Sequence, residues 1–233
     1  MTTVQAIHYT HRTLEWQRLA VDLGLVPAST PTPEWAEFAG GGILAIHRVD
    51  GASTHAGRTD LHVLVEDLDA VERTLRATGA TVSRDELAGV GAVVTARAST
   101  GVTISASRGM QRAHGDLRVL PIWSQSDVDE ATGVLTALGL KERLRSDSGT
   151  WVDFQADAGG LAAFHAGADA GVTLSFEYAG DLDTLAAQLA EAGHETSVVD
   201  EAYNRTLLVR TPDGGTLWIN GLITDLYGYR RAD

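Results

Sequence analysis

The most constraining feature of the sequence is an internal repeat of helices that stop at glycine. Four segments carry apolar residues at helical spacing, at residues 13–23, 67–78, 128–138 and 182–192, and a glycine follows each one directly. Glycine is favoured just beyond a helix because that position takes left-handed backbone. The second and fourth segments also open alike, with Asp-Leu-Asp at 67–69 and again at 181–183. A sequence with such self-similarity is organised as repeated structural units.

The segments between the helices repeat as well. Trp-Ala-Glu-Phe at 35–38 matches Trp-Val-Asp-Phe at 151–154, and the glycine-led run 41–47 matches 159–165. Residues 93–106 match 206–220, and each pair reads as a strand, a turn and a strand. Each quarter of the chain is therefore predicted to be a strand, a helix and about three strands. The two halves are tandem copies that join near residues 107–116.

This pattern predicts an α+β fold with two tandem domains, at residues 1–110 and 115–233. Each domain would contain two βαβββ units that form a curved sheet around a cleft, with the helices outside. A single such unit cannot bury both faces of its sheet, so the units are expected to lie side by side.

Composition excludes several classes of function. The chain has 233 residues, a net charge of −13 and no cysteine, which excludes disulfides and thiolate chemistry. An acidic surface repels phosphates, so nucleic acid and anionic membranes are not expected as partners. No apolar stretch is long enough to span a membrane, and residues 1–4 do not begin a signal peptide, so we expect a cytoplasmic protein.

The order of these elements resembles the vicinal oxygen chelate superfamily, which includes glyoxalase I, extradiol dioxygenases and bleomycin-resistance proteins. The resemblance rests on the helix ending Leu23-Gly24-Leu25, the glycine-led strands, the Asp67 helix and the terminal Pro212-Asp213-Gly214 strand. It covers almost the whole chain, once in each half. It implies a cleft in each half and, in the enzymes of the superfamily, a divalent metal held there.

The resemblance also implies where metal ligands would lie, and this chain carries few donors at those places. They fall at or near Val4, Ala45, Asp60, Ser105, Val119, Ala163, Leu174 and Trp218. A divalent metal needs oxygen or nitrogen donors, and only Asp60 and Ser105 offer them. We therefore expect no metal and no other cofactor.

Strand alternation predicts which residues replace the ligands in the second cleft. Residues two or four apart along a strand share a face. By that rule the second cleft would be lined by Trp123, His165, Phe176 and Trp218. Such a lining suits a flat or apolar small molecule, although the same rings could instead fill the cleft as core.

The first cleft is predicted to be more polar. Strand alternation places His8, His47, His62 and Asp60 in it, as a relocated metal site, as an acid–base pair or as ordinary strand-end residues in water. A register error of one residue would turn each of these side chains to the other face.

Three hypotheses for function follow. The first is a metal-free binding protein of the bleomycin-resistance kind, a monomer or homodimer that holds an apolar or aromatic compound such as an antibiotic or biosynthetic intermediate. The alternative is a lyase or isomerase of the glyoxalase superfamily that uses His47, His62 or Asp60 without the usual metal. In the third, one half has lost its pocket and serves packing. The basic and aromatic tail at 227–231 is expected to fold back on the second domain.

Overall fold

The computed structural model describes residues 1–109, 111–201 and 204–232 and has the predicted α+β architecture. Its helices are α1 (Thr13–Asp22), α2 (Leu68–Ala77), α3 (Val128–Ala137) and α4 (Leu182–Glu191). The side chains of Asp67, Asp127 and Asp181 cap the last three by accepting a hydrogen bond from the backbone N–H three residues on. The glycine after each helix has φ between 85° and 91°, as the sequence predicted.

The first half forms one curved sheet of eight strands. In chain order they are β1 (Thr2–Thr10), β2 (Val26–Pro27), β3 (Trp35–Gly40), β4 (Gly42–Arg48), β5 (Thr59–Val65), β6 (Thr81–Leu87), β7 (Gly91–Arg97) and β8 (Thr103–Arg108). The spatial order is β2-β3-β4-β1-β5-β8-β7-β6, with β1 and β5 antiparallel at the centre. The predicted end of the first domain, Met110, lies outside the described residues.

The second half divides into two sheets rather than one. Its strands are β9 (Leu117–Val119), β10 (Ile122–Gln125), β11 (Lys141–Ser146), β12 (Trp151–Gln155), β13 (Leu161–Ala166), β14 (Gly171–Thr173), β15 (Ser175–Tyr178), β16 (Thr196–Asp200), β17 (Arg205–Arg210), β18 (Thr216–Gly221) and β19 (Tyr229–Arg231). The six-stranded sheet has the order β14-β10-β13-β12-β11-β19, and the five-stranded sheet has the order β16-β17-β18-β15-β9.

The division falls where the two central strands of the second half are interrupted. The chain passes from β9 to β10 through Leu120 and Pro121, and from β14 to β15 through Leu174. Proline has no N–H to donate to a ladder, so a central strand cannot continue unbroken through it. The curved sheet expected for the second half is therefore divided into two, and the cleft there lies between them.

The helix-bearing faces of the two halves pack against each other. One apolar cluster joins α2 of the first half to α3 of the second, with Leu75 and Leu135 fully buried in it. The other joins α1 to α4 and buries Leu19 and Leu189. Each core is therefore built from both halves. Because burial of apolar area is the main stabilising term in folding, neither half has a complete core without the other.

The repeated glycine runs lie where the halves cross. The backbone N–H of Val4 donates to the carbonyl of Gly159 at 2.9 Å, and Val119 donates in the same way to Gly41 at 2.7 Å. A β-carbon added to Gly42 would stand 2.8 Å from the α-carbon of Gly160. Only glycine permits this approach, which gives the repeated motif a packing role.

Candidate binding pocket of the second half

A cavity of about 540 Å³ opens between the two sheets of the second half. Its apolar lining comes from Leu120 and Ile122, on the broken central strand, and from Ile223 after β18. A volume of this size falls within the range of small-molecule sites, roughly 300–1,000 Å³. The broken sheet thus produces space for a ligand.

Aromatic side chains form much of the wall. Trp151, His165, Trp218 and Tyr229 all line the cavity. The rings of Trp151 and His165 meet nearly edge to face, with centroids 6.2 Å apart and planes at 63°. Trp218 is 40% exposed, which is unusual for a residue of its size and leaves a ring face available. This arrangement can stack on a flat ring.

A cluster of charges links the two sheets across the cavity. Arg143 of β11 donates to Asp153 of β12 at 2.8 and 2.9 Å, and to Glu177 of β15 at 2.8 and 2.7 Å. Arg118 of β9 also donates to Glu177, at 3.1 Å. Burial raises the pKa of Asp153, against the hydrogen bonds from Arg143. Two cations and two anions compensate each other, so the cluster acts as a clamp between the sheets.

The last wall of the cavity comes from the C-terminal segment. Tyr229 lies in β19, which pairs antiparallel with β11, so the predicted fold-back of the tail on the second half is confirmed. Burial raises the pKa of Tyr229, and the nearby carboxylate of Asp153 raises it further. The tail therefore carries an aromatic ring into the site.

The structure places two of the four residues predicted for the second cleft elsewhere. His165 and Trp218 line the cavity, whereas Trp123 and Phe176 are fully buried on the opposite, helix-bearing face. The count of alternate residues assumed that Val119 faces the cleft, but Val119 lies in the core and its neighbour Leu120 faces the cavity. Alternation holds across Pro121, since Leu120, Ile122 and Ser124 line the cavity. Trp123 was therefore misplaced because the count began from a core residue.

In the first half, three of the four predicted residues lie on the concave face of the sheet, namely His47, Asp60 and His62. Tyr9, on the central strand, pairs in register with His47, and its hydroxyl donates to Asp60 at 2.9 Å. His62 lies two residues beyond Asp60 on β5, and its ring nitrogens lie 2.8 Å from the hydroxyls of Ser105 and Ser107. Burial lowers the pKa of His62 to about 4.

His8 lies on the other face, contrary to the expectation from alternation. Its ring contacts Trp16 of α1, with centroids 4.3 Å apart, and bonds Thr59 and Asp213 at 3.1 Å each. Burial opposes ionisation of Asp213, but hydrogen bonds from His8, Thr10 and Trp16 outweigh it and hold the pKa at about 2. This network joins the terminal turn of the second half to the first half.

Several site residues were missed from the sequence. Trp151 could have been found, since it is the repeat partner of Trp35. Arg143, Glu177 and Tyr229 carry no local signal, because they meet only when distant strands come together.

The donors that face the two clefts do not fit the divalent metal that the superfamily's enzymes hold. In the second cleft the central strands present Leu120 and Ser175, and the flanking strand β18 presents Trp218. In the first, both nitrogens of His62 already contact serine hydroxyls. Within the described ranges, no group of three or more His, Asp or Glu side chains could hold a metal ion. The same part of the chain contains no helix long and apolar enough to cross a membrane.

Solved structures similar to this chain include dioxygenases. The 2,3-dioxygenase LapB from Pseudomonas sp. KL28 is 17% identical with a TM-score of 0.66, covering 99% of this chain and 92% of that chain. A catechol 2,3-dioxygenase is 14% identical, with a TM-score of 0.61 and coverage of 99% and 94%. Homoprotocatechuate 2,3-dioxygenase from Arthrobacter globiformis is 12% identical, with a TM-score of 0.62 and coverage of 98% and 79%.

These similarities show the fold. The chain has the fold of the vicinal oxygen chelate superfamily, and its structural neighbours are extradiol dioxygenases. No protein-family model matches the sequence, and no curated protein matches it. At this low identity a shared fold does not imply a shared activity, and the residues of the site determine the function.

Proposed function

We propose that the protein is a metal-free binding protein of the bleomycin-resistance kind, which holds a flat aromatic compound in the cavity of the second half. The observation that carries the proposal is the cavity of about 540 Å³ walled by Trp151, Trp218 and Tyr229. Sequestration of a compound requires affinity only, so the donors of a reaction centre are not needed. An antibiotic or a biosynthetic intermediate is the expected kind of ligand.

The chemistry of the wall supports an aromatic ligand. Aromatic pairs contribute about 0.5–1.5 kcal/mol beyond the burial of their area. At one end of the cavity, Ser124 and His165 lie on paired strands and make no side-chain hydrogen bond within the described residues. They can bond a hydroxyl, carbonyl or amine on the edge of the ligand. The charges of the Arg143 cluster are already compensated, which favours a ligand without a strong net charge.

The alternative function, a lyase or isomerase that uses His47, His62 or Asp60, draws less support. His62 is buried between two serines, and Asp60 accepts the hydroxyl of Tyr9. A general base must reach the proton that it removes, and His62 and Asp60 are engaged within the fold.

The test uses N-phenyl-1-naphthylamine, a neutral aromatic probe whose fluorescence rises in apolar sites, followed by competition with a panel of aromatic natural products. We expect saturable binding that Trp218→Ala and Trp151→Ala weaken by about tenfold or more, since each loses stacking and burial. Trp35→Ala is the matched control, because Trp35 is the repeat partner of Trp151 in the first half.

Two results would contradict the proposal. One is binding that persists unchanged in both tryptophan variants while both remain folded by circular dichroism. The other is one tightly bound zinc, iron, nickel or manganese per chain after purification without chelator, which would favour an enzyme.

We expect the protein to act in the cytoplasm as a monomer or a homodimer, without nucleic acid or membrane as partners. Light scattering coupled to gel filtration measures its mass in solution.

A further inference from the structure

The C-terminal segment after β18, at residues 222–232, touches the rest of the protein in an unusual way. All of its side chains are exposed except those of Ile223 and Tyr229, and both of these line the cavity. By contrast, Tyr227 is 92% exposed. The apolar contacts of the segment are therefore made mainly with the ligand site.

The segment is held to the rest of the molecule by few bonds. Three residues of β19 pair with the edge of the six-stranded sheet, at Leu144, Arg145 and Ser146. The backbone adds a hydrogen bond from Asp147 to Gly228 at 2.8 Å and one from Ala232 to Arg143 at 3.2 Å. A short exposed edge strand with little buried area opens at low free energy, far below the cost of global unfolding.

Resting on the function proposed above, we propose that residues 222–232 are a removable wall of the cavity and that Tyr229 is the residue of this wall that contacts the ligand. In the closed state Tyr229 and Trp218 both line the cavity, so a flat ligand there has aromatic rings on its wall from the segment and from β18. The ligand leaves when β19 separates from β11. A bound ligand in turn stabilises the pairing of β19, because it contacts Tyr229 only in the closed form.

The wall also determines which ligands bind well. A flat ring fills the gap beside Tyr229, whereas a bulky saturated compound prevents β19 from pairing and loses the contacts of the wall. Affinity differences between such ligands should therefore appear mainly in the dissociation rate.

The experiment measures N-phenyl-1-naphthylamine dissociation by stopped-flow fluorescence in five proteins. These are the parent, Tyr229→Ala, Tyr229→Phe, Tyr227→Ala and a chain that ends at Gly221. We expect Tyr229→Ala and the shortened chain to release the probe about tenfold faster or more. Tyr229→Phe keeps the ring and should match the parent, as should Tyr227→Ala, whose side chain points to solvent.

Hydrogen exchange gives a second readout that does not depend on a variant. The amides of residues 229–231 should exchange quickly in the free protein and slow down when the probe is bound, while the amides of the exposed strand β6 in the first half should not change. If the shortened chain and Tyr229→Ala release the probe at the parent rate while Trp218→Ala weakens binding, the proposal of a removable wall is refuted and the proposed function stands. If the parent does not bind the probe, both proposals fall.

Discussion

The two clefts of this protein share a strand register and differ in how much space their side chains leave. In the first half large side chains occupy the cleft, and in the second half a cavity opens. In each half a tryptophan meets a histidine nearly edge to face, Trp35 with His47 at 5.4 Å and Trp151 with His165 at 6.2 Å. The strand register that pairs Tyr9 with His47 in the first half pairs Ser124 with His165 in the second. At these positions the repeat has therefore kept the strand register and changed the volumes of the central side chains.

The same contrast continues on the neighbouring strands. His62 pairs in register with Ser105 in the first half, and Ser175 pairs with Trp218 in the second. In the first half the large residue of the pair is His62, which lies on the central strand β5 and bonds serines of β8. In the second half the large residue is Trp218, which lies on the flanking strand β18, so the space beside the central strand stays open. The cleft of the second half is therefore opened both by the interruption of its central strands and by a few substitutions on them.

The charge clamp is where the largest effect is expected. Arg143→Met leaves the buried carboxylates of Asp153 and Glu177 with too few partners, and we expect a loss of about 3–5 kcal/mol in the free energy of unfolding. Urea denaturation measures it. Arg84→Met is the matched control, since Arg84 of the first half also bonds two carboxylates, Asp69 and Glu72, but at the surface. Equal losses in the two variants would refute a clamp specific to the second cleft.

A pH effect should belong to the first cleft. The pKa of His62 is lowered by burial to about 4, below the value of about 6.5 in the unfolded chain. The unfolded chain therefore binds more protons between pH 6.5 and 4, and the free energy of unfolding falls by up to about 3 kcal/mol as the pH is lowered through that window. His62→Ser should remove most of this dependence. His165→Ser, at the exposed rim of the second cavity, should leave it in place, and a slope unchanged by His62→Ser would assign it to another group.

Opening the first cleft should cost stability. Tyr9→Ser copies the residue found at the matching position of the second half and removes a ring that contacts His47. We expect a loss of about 2 kcal/mol in the free energy of unfolding, from the cavity and from the lost bond to Asp60. Tyr9→Phe, which loses only that bond, should cost about 1 kcal/mol. A loss in Tyr9→Ser no greater than in Tyr9→Phe would show that the ring does not fill the cleft.

Closing the second cleft should weaken binding with little effect on stability. Ser124→Tyr places a first-half side chain in the cavity, and we expect affinity for N-phenyl-1-naphthylamine to fall by about tenfold or more. Ser83→Tyr, on the exposed strand β6, is the control for the added ring. Unchanged affinity in Ser124→Tyr would place the probe outside this cavity.

The repeat made the fold predictable from sequence. Helix spacing, the glycines that follow each helix and the caps at Asp67 and Asp181 are local signals, and the helices begin and end within two residues of the predicted bounds. The matching runs at 41–47 and 159–165 predicted paired strands because both obey the same packing constraint. Such signals depend on neighbours in sequence, so tertiary context did not override them.

The site was less predictable because it depends on register and on distant partners. Counting alternate residues succeeded for His47 and His165, and it misplaced Trp123 because the count began from Val119, which faces the core. His8 was misplaced although β1 is unbroken, because the count began from Val4, which faces the core. Arg143 and Glu177 meet across two sheets, and no pattern within either strand foretells that contact.

The crossing of the halves at their glycine runs bears on how the chain acquires its structure. Val4 bonds to Gly159, and His8 bonds to Asp213, more than 150 residues away in each case. Contacts at such separation make folding slow, because long loops must close before the contacts form. A nascent chain that has emerged only to Arg108 still exposes the apolar face meant for α3 and α4. During synthesis there is therefore a period in which the first half has been made but cannot yet pack against the second. Until the last strands are synthesised, it is vulnerable to aggregation and proteolysis.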